Sequence, residues 1–165
     1  MERIPTIDDF MHSTRSGRRV WQASWEHLDE AQLTQPGRLG TWSIKDMIAH
    51  VTWHERQMCR MIQEMDLLAG SDLWNLPLDE RNAAIYVLNK HRPLAEVLTE
   101  VRAVIGELLD LLETLSEEDL HEASHFKGMP ADWKPWSVIA GNTYEHYQEH
   151  MVKTSAHGTS GMNTD

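Results

Sequence analysis

The sequence predicts an all-α fold, a four-helix bundle whose helices run up, down, down and up, and three observations carry that expectation. Apolar residues recur at three- and four-residue steps along several long segments, most continuously from Ile44 to Leu68. Hydroxyl or proline residues open these segments, as helix starts favour. A stretch of 24 residues, Ala69 to Arg92, separates the second long segment from the third. A short turn there would force the two helices antiparallel, whereas a long crossover lets them run parallel.

Thr6 followed by Ile7, Asp8 and Asp9 marks the first helix start, a hydroxyl cap with acids in the positive first turn. Ile7, Phe10, Met11, Thr14, Trp21, Trp25 and Leu28 continue it, with Gly17 and flanking arginines weakening the middle. Gln35 to Leu39, ending in Gly40, combines breakers with polar residues and reads as a loop. Ser43 caps helix two, with Asp46 as the capping-box acid, and Ile44, Met47, Val51, His54, Met58, Met61, Met65 and Leu68 form its stripe. Gly70 and Pro77 close it. Leu78 to His91 is helix-compatible, and its 14 residues would span about 21 Å, enough to cross a bundle end to end. Pro93 begins helix three, which runs to about Leu115 through Val97, Val101, Val104, Leu108 and Leu111. Ser116 to Asp119 starts a brief turn, residues 121–134 are loop-like, and Pro135-Trp136-Ser137 opens helix four.

At 165 residues the chain suits one domain, expected over 1–154, with the polar stretch 155–165 as a disordered tail. The net charge of −11 would repel a phosphate backbone, and the basic run Arg15 to Arg19 holds only three arginines, so nucleic acid is excluded as a partner. The lone Cys59 can form no internal disulfide and has no evident base beside it, so it is read as structural. With no secretory leader pattern and no apolar run near membrane-span length, the expected location is the cytoplasm, without membrane contact.

His146 and His150, at i and i+4, share one face of helix four with Ile139 and Thr143. Two imidazoles one turn apart can chelate a cation such as zinc, nickel, copper or iron, whereas magnesium or calcium would want oxygen ligands. Equally, such a pair can line a polar core and hydrogen-bond internally. Helix two offers His50 and His54 at the same spacing. Periodicity alone nominates His54, near the centre of its stripe, over His50 about 40° further round.

The run Trp42-Ser43-Ile44-Lys45-Asp46-Met47-Ile48-Ala49-His50 resembles the signature of the DinB-like superfamily, in which a Trp-Ser/Thr pair opens helix two and the histidine eight residues after the Trp binds metal. On that resemblance the ligand is His50. Gly141-Asn142-Thr143-Tyr144-Glu145-His146-Tyr147-Gln148-Glu149-His150 resembles the helix-four half of the signature, particularly in the ClbS/DfsB-type branch, and the likeness covers nearly all of residues 5–155. It implies a four-helix bundle, a homodimer, and a divalent metal, zinc or nickel, on His50, His146 and His150. It also implies hydrolase or thiol-dependent transferase chemistry on a small electrophilic molecule, with a low-molecular-weight thiol as a further cofactor and detoxification or self-protection as the role. Members of the ClbS-like branch do not all keep the histidines, so a metal-free hydrolase or a non-catalytic sequestering protein stands as the alternative.

Three neutral imidazoles would leave an ion its full double charge, which acidifies water or a thiol. Glu55, five residues after His50, is the candidate outer-shell acceptor or general base, weighed against an ordinary edge carboxylate. Trp53, His54, Tyr144 and Tyr147 are the candidate pocket-lining residues, and Arg81 and Asn82 on the crossover could close over that pocket or simply face solvent.

Overall fold

The computed structural model describes residues 5–153; the expected tail 155–165 lies outside them. The described chain is all-helical apart from two isolated bridges, Leu39 with Trp42 and Asp66 with Lys127. Its four principal helical runs are α1 (Ile7–Ala23), α3 (Ile44–Glu64), α5 (Leu94–Glu113) and a broken fourth run made of α7 (Pro135–Gly141) and α8 (Tyr144–Glu149). Short pieces connect them: α2 (Glu30–Thr34), a 3₁₀ turn at Asp72–Asn75, α4 (Leu78–Asn89), α6 (Glu117–His121) and a second 3₁₀ turn at Ala123–His125.

The caps read from the sequence are present. Thr6 with Asp9 and Ser43 with Asp46 each form a reciprocal capping box, which satisfies two orphan donors at each helix start. Helix one is shorter than its stripe: α1 stops at Ala23, and Trp25 and Leu28 reach the core from turns. Helix two stops before Met65, which adopts the left-handed conformation at φ 49°, so the expected extension to Leu68 does not form and Leu68 is largely exposed.

Two core clusters fix the direction of every long helix. One holds Phe10 and Met11 of α1, Met58 to Ile62 of α3, Val104 to Leu112 of α5 and Ile139 of α7. The other holds Trp21, then Ile44 to Val51, then Val97 and Val101, and finally Tyr147 and Val152. Helices α1 and α7–α8 therefore travel from the first cluster to the second, while α3 and α5 travel from the second to the first. The order is up, down, down, up, with α3 and α5 parallel. The stretch between them carries the chain back along the bundle through α4, and Lys45 pins its far end by donating from Nζ to the carbonyls of Lys90 (3.0 Å) and Arg92 (2.8 Å).

The segment after α3 is tied to the loop before α7. Leu67 N donates to Lys127 O at 2.9 Å and Lys127 N donates to Met65 O at 2.8 Å. These bonds bring the α3 exit, the loop around Trp133 and the crossover to one side of the bundle, where a cavity forms. No helix among the described residues is long and apolar enough to cross a membrane.

Candidate functional site

Helix α3 is the buried centre of the bundle, and its histidines look out from it toward the fourth helical run. His50 and His54 lie one turn apart, 3 % and 5 % exposed, and His146 is 6 % exposed. His50 Nε2 lies 3.2 Å from His146 Nε2, and one ligand atom from each of His50, His146 and His150 can be chosen so that all lie within 4.8 Å of one another. Two nitrogens sharing a tetrahedral zinc at about 2.0–2.1 Å would stand about 3.3 Å apart, so the observed separation suits a common ion. The donor set fits a divalent metal of the kind that accepts imidazole.

The fourth helical run is broken where it delivers these ligands. Asn142 N and Thr143 N bond back three residues, to Ile139 O and Ala140 O, and Thr143 takes φ −129° and ψ −108°. The carbonyls left without their usual donors are taken by side chains: Asn142 Nδ2 donates to Val138 O and Thr143 Oγ1 donates to Ile139 O, both at 2.8 Å. Asn142 then accepts through Oδ1 from His54 Nδ1 at 2.8 Å.

The imidazoles are held in their neutral form. Burial, then the neighbouring His54, His150 and Arg81, push the His50 pKa down to about 2. Burial also lowers His54 to about 4, against the opposing pull of its bond to Asn142, and depresses His146 and His150 as well. Neutral imidazole is the form that ligates a metal. The Nδ1 atoms of His50 and His146 have no hydrogen-bond partner among the described residues, so ring packing orients them. His50 lies with its ring 5.2 Å from Trp42 and 4.9 Å from His150, centroid to centroid.

The histidines border a cavity of about 680 Å³. Trp74, Arg81 and Asn82 of the crossover wall it next to His54, whose ring lies 5.6 Å from that of Trp74, and Trp133 and Val138 also border it. Of the candidate lining residues only His54 faces this space. Trp53 stands behind the wall, 5.4 Å from the Trp74 ring. Tyr144 packs edge-on against Phe10 at 5.3 Å, and Tyr147 stacks on Trp21 at 5.7 Å, so both tyrosines face α1 instead. The physical reason is helical phase: residues next to His146 point away from the face it shares with His150.

Glu55 is likewise turned from the histidines. It is fully buried, ion-paired with Arg18, and its Oε1 accepts from the Tyr147 hydroxyl at 2.5 Å. Burial works against the Arg18 charge, but Glu55 beside it holds the guanidinium pKa above its usual value. This carboxylate balances a buried arginine and touches no candidate ligand. Cys59 is buried in the core, where its thiol is pushed up to about 12, in keeping with a structural role.

Arg81 and Asn82, which the sequence allows either to close over a pocket or to face solvent, do border the cavity, as does Trp133; Trp74 carries no local signal of that place, because the wall is assembled from segments distant in the chain. The comparisons with known proteins agree with this architecture. The family model for the DinB superfamily matches residues 13–151. A crystal structure of a structural-genomics target from Streptococcus pneumoniae is 15% identical, with a TM-score of 0.75 over 92% of this chain and 89% of that one. A structure described as the sibling lethal factor precursor DfsB is 17% identical, with a TM-score of 0.71 over 92% of this chain and 94% of the other. No curated protein gives a significant match.

Proposed function

Because the chain belongs to the DinB superfamily, we propose that it binds a divalent metal ion, zinc or nickel, through His50, His146 and His150 and acts on a small electrophilic molecule held in the adjoining cavity. The observation that carries this reading is the convergence of three neutral imidazoles, from two helices, on one wall of a cavity lined by both apolar and polar side chains. Such an ion, when bound, supplies Lewis acidity toward water or a low-molecular-weight thiol. The chain's own residues do the rest: His54, held by Asn142, flanks the ligand set, and Trp74, Trp133 and Met58 exclude water from the reacting molecule. Hydrolysis and thiol transfer are the two reaction classes that follow, with detoxification or self-protection as the role. We propose a homodimer as the working state, to be read from sedimentation.

Elemental analysis of untagged protein tests the metal. About one metal per chain is expected, lost in His50→Ala and His146→Ala and kept in His54→Ala; no uptake by the parent protein, even with divalent ions supplied, sinks the reading. Multiple turnovers with a panel of thiols and electrophiles are then expected. A second reading is favoured by the His50 Nε2 to His146 Nε2 contact, which can be an ordinary hydrogen bond sharing one proton. There the cavity sequesters an apolar molecule without metal, and consumption would stop at one equivalent.

A further inference from the structure

The cavity holds a charge that the histidine site does not use. Arg81 on α4 borders the cavity and makes no ion pair with any carboxylate among the described residues, although other arginines facing the protein are matched, Arg18 by Glu55 and Arg56 and Arg92 by Glu100. Its guanidinium carbon lies 4.7 Å from the Trp74 ring centroid, and the Trp74 ring lies 5.6 Å from that of His54. Arginine, tryptophan and histidine cluster thus form a continuous wall. Nε of Arg81 is buried without a partner among the described residues. Burial lowers the Arg81 pKa with no neighbouring acid to raise it, and its charge is felt at His50, His54 and His146.

We propose that Arg81 is the anchor for a carboxylate on the cavity's ligand, which makes the natural substrate an amphipathic monocarboxylate: an apolar body against Trp74, Trp133 and Met58, the acid on Arg81, and the reacting group toward the histidines. An uncompensated guanidinium beside an aromatic face, partly withdrawn from water, is a strong and selective site for a planar oxyanion. One arginine balances one negative charge. Glu149, which also borders the cavity, disfavours a second, so a monoanion fits better than a phosphate dianion. Asn82 Oδ1, buried and without a partner among the described residues, is available to accept from a hydroxyl or amide on the same ligand.

This inference rests on the cavity being a ligand site but not on the metal, and its test keeps the two apart. Phenylbutyrate and phenylbutyramide, which differ chiefly in charge, are titrated by calorimetry into the full chain stripped of metal, so that the acid has no ion to ligate. Wild type is expected to bind the acid about tenfold tighter than the amide, and Arg81→Gln to lose that preference while binding the amide as before. Arg81→Lys, which keeps a point charge without the planar fork, is expected to retain part of it. Equal affinities in wild type, no measurable binding of the acid, or a preference that survives in Arg81→Gln would overturn the proposal. Zinc titration of the same samples reads the metal independently, so failed zinc uptake with an intact acid preference would remove the histidine reading and leave Arg81 standing.

Discussion

Asn142 donates through Nδ2 to Val138 O, so Oδ1 is its accepting end and His54 Nδ1 is the protonated nitrogen. His54 Nε2 then carries a lone pair, buried and without a partner among the described residues. Periodicity nominates His54 as a ligand and the family signature His50, and both rings pack in the same cluster. Glu55 shows the opposite case. Nothing local to it announces Arg18, because its partner lies on another helix, in the part of the α1 stripe that arginines and Gly17 interrupt. Removing the charge of one member of a buried pair leaves the other uncompensated, so Glu55→Gln is expected to cost about 3–5 kcal/mol in urea unfolding. The folded fraction is expected to keep the metal content of the parent, and a loss of metal at unchanged stability would return Glu55 to the site.

Among elements, the fourth helical run was legible as two histidines on one face, but its break was not. Asn and Thr are tolerated in helices, and their competition with backbone donors shows only when the geometry is known. Gly17 has a matching role: a Cβ there would meet Tyr144 Cβ at 3.1 Å, so the residue that interrupts the α1 stripe permits α1 and α8 to approach closely. Thr143→Val keeps the shape of a fully buried side chain and deletes its bond to Ile139 O. Ile139 O keeps the bond from Asn142 N, so the loss of this one buried hydrogen bond is expected to cost about 0.5–1.5 kcal/mol. Since α8 carries His146 and His150 caps its end, zinc affinity measured by competition with a chelator is expected to fall as well. An unchanged affinity would mean that the break has no part in setting the ligands.

At the scale of the whole molecule, the up-down-down-up order follows from the long separation between α3 and α5, which is visible in the sequence, and the caps place the long helices well. The cavity was less legible, since its wall comes from the crossover and the loop before α7, whose patterns resemble solvated surface. That assembly gathers four histidines, three of them buried and His150 half-buried, in a chain with net charge −11, and acid should reveal it. His50 and His54, lowered to about 2 and about 4, and His146 and His150, lowered by burial, bind fewer protons folded than unfolded. The unfolded state gains protons first as pH falls below about 6.5, so these groups stabilise the fold above that pH and their contribution is lost progressively below it. Each histidine neutral in the fold and charged in the unfolded chain adds a slope of about 1.4 kcal/mol per pH unit. Urea unfolding of the metal-free protein is therefore expected to weaken steeply from about pH 6 to pH 4, where carboxylates contribute little until the lower end of the window. His50→Asn, which cannot take up a proton, is expected to flatten that slope by about one histidine's share, and an unchanged slope would mean that His50 is already solvated and titrates normally in the folded chain.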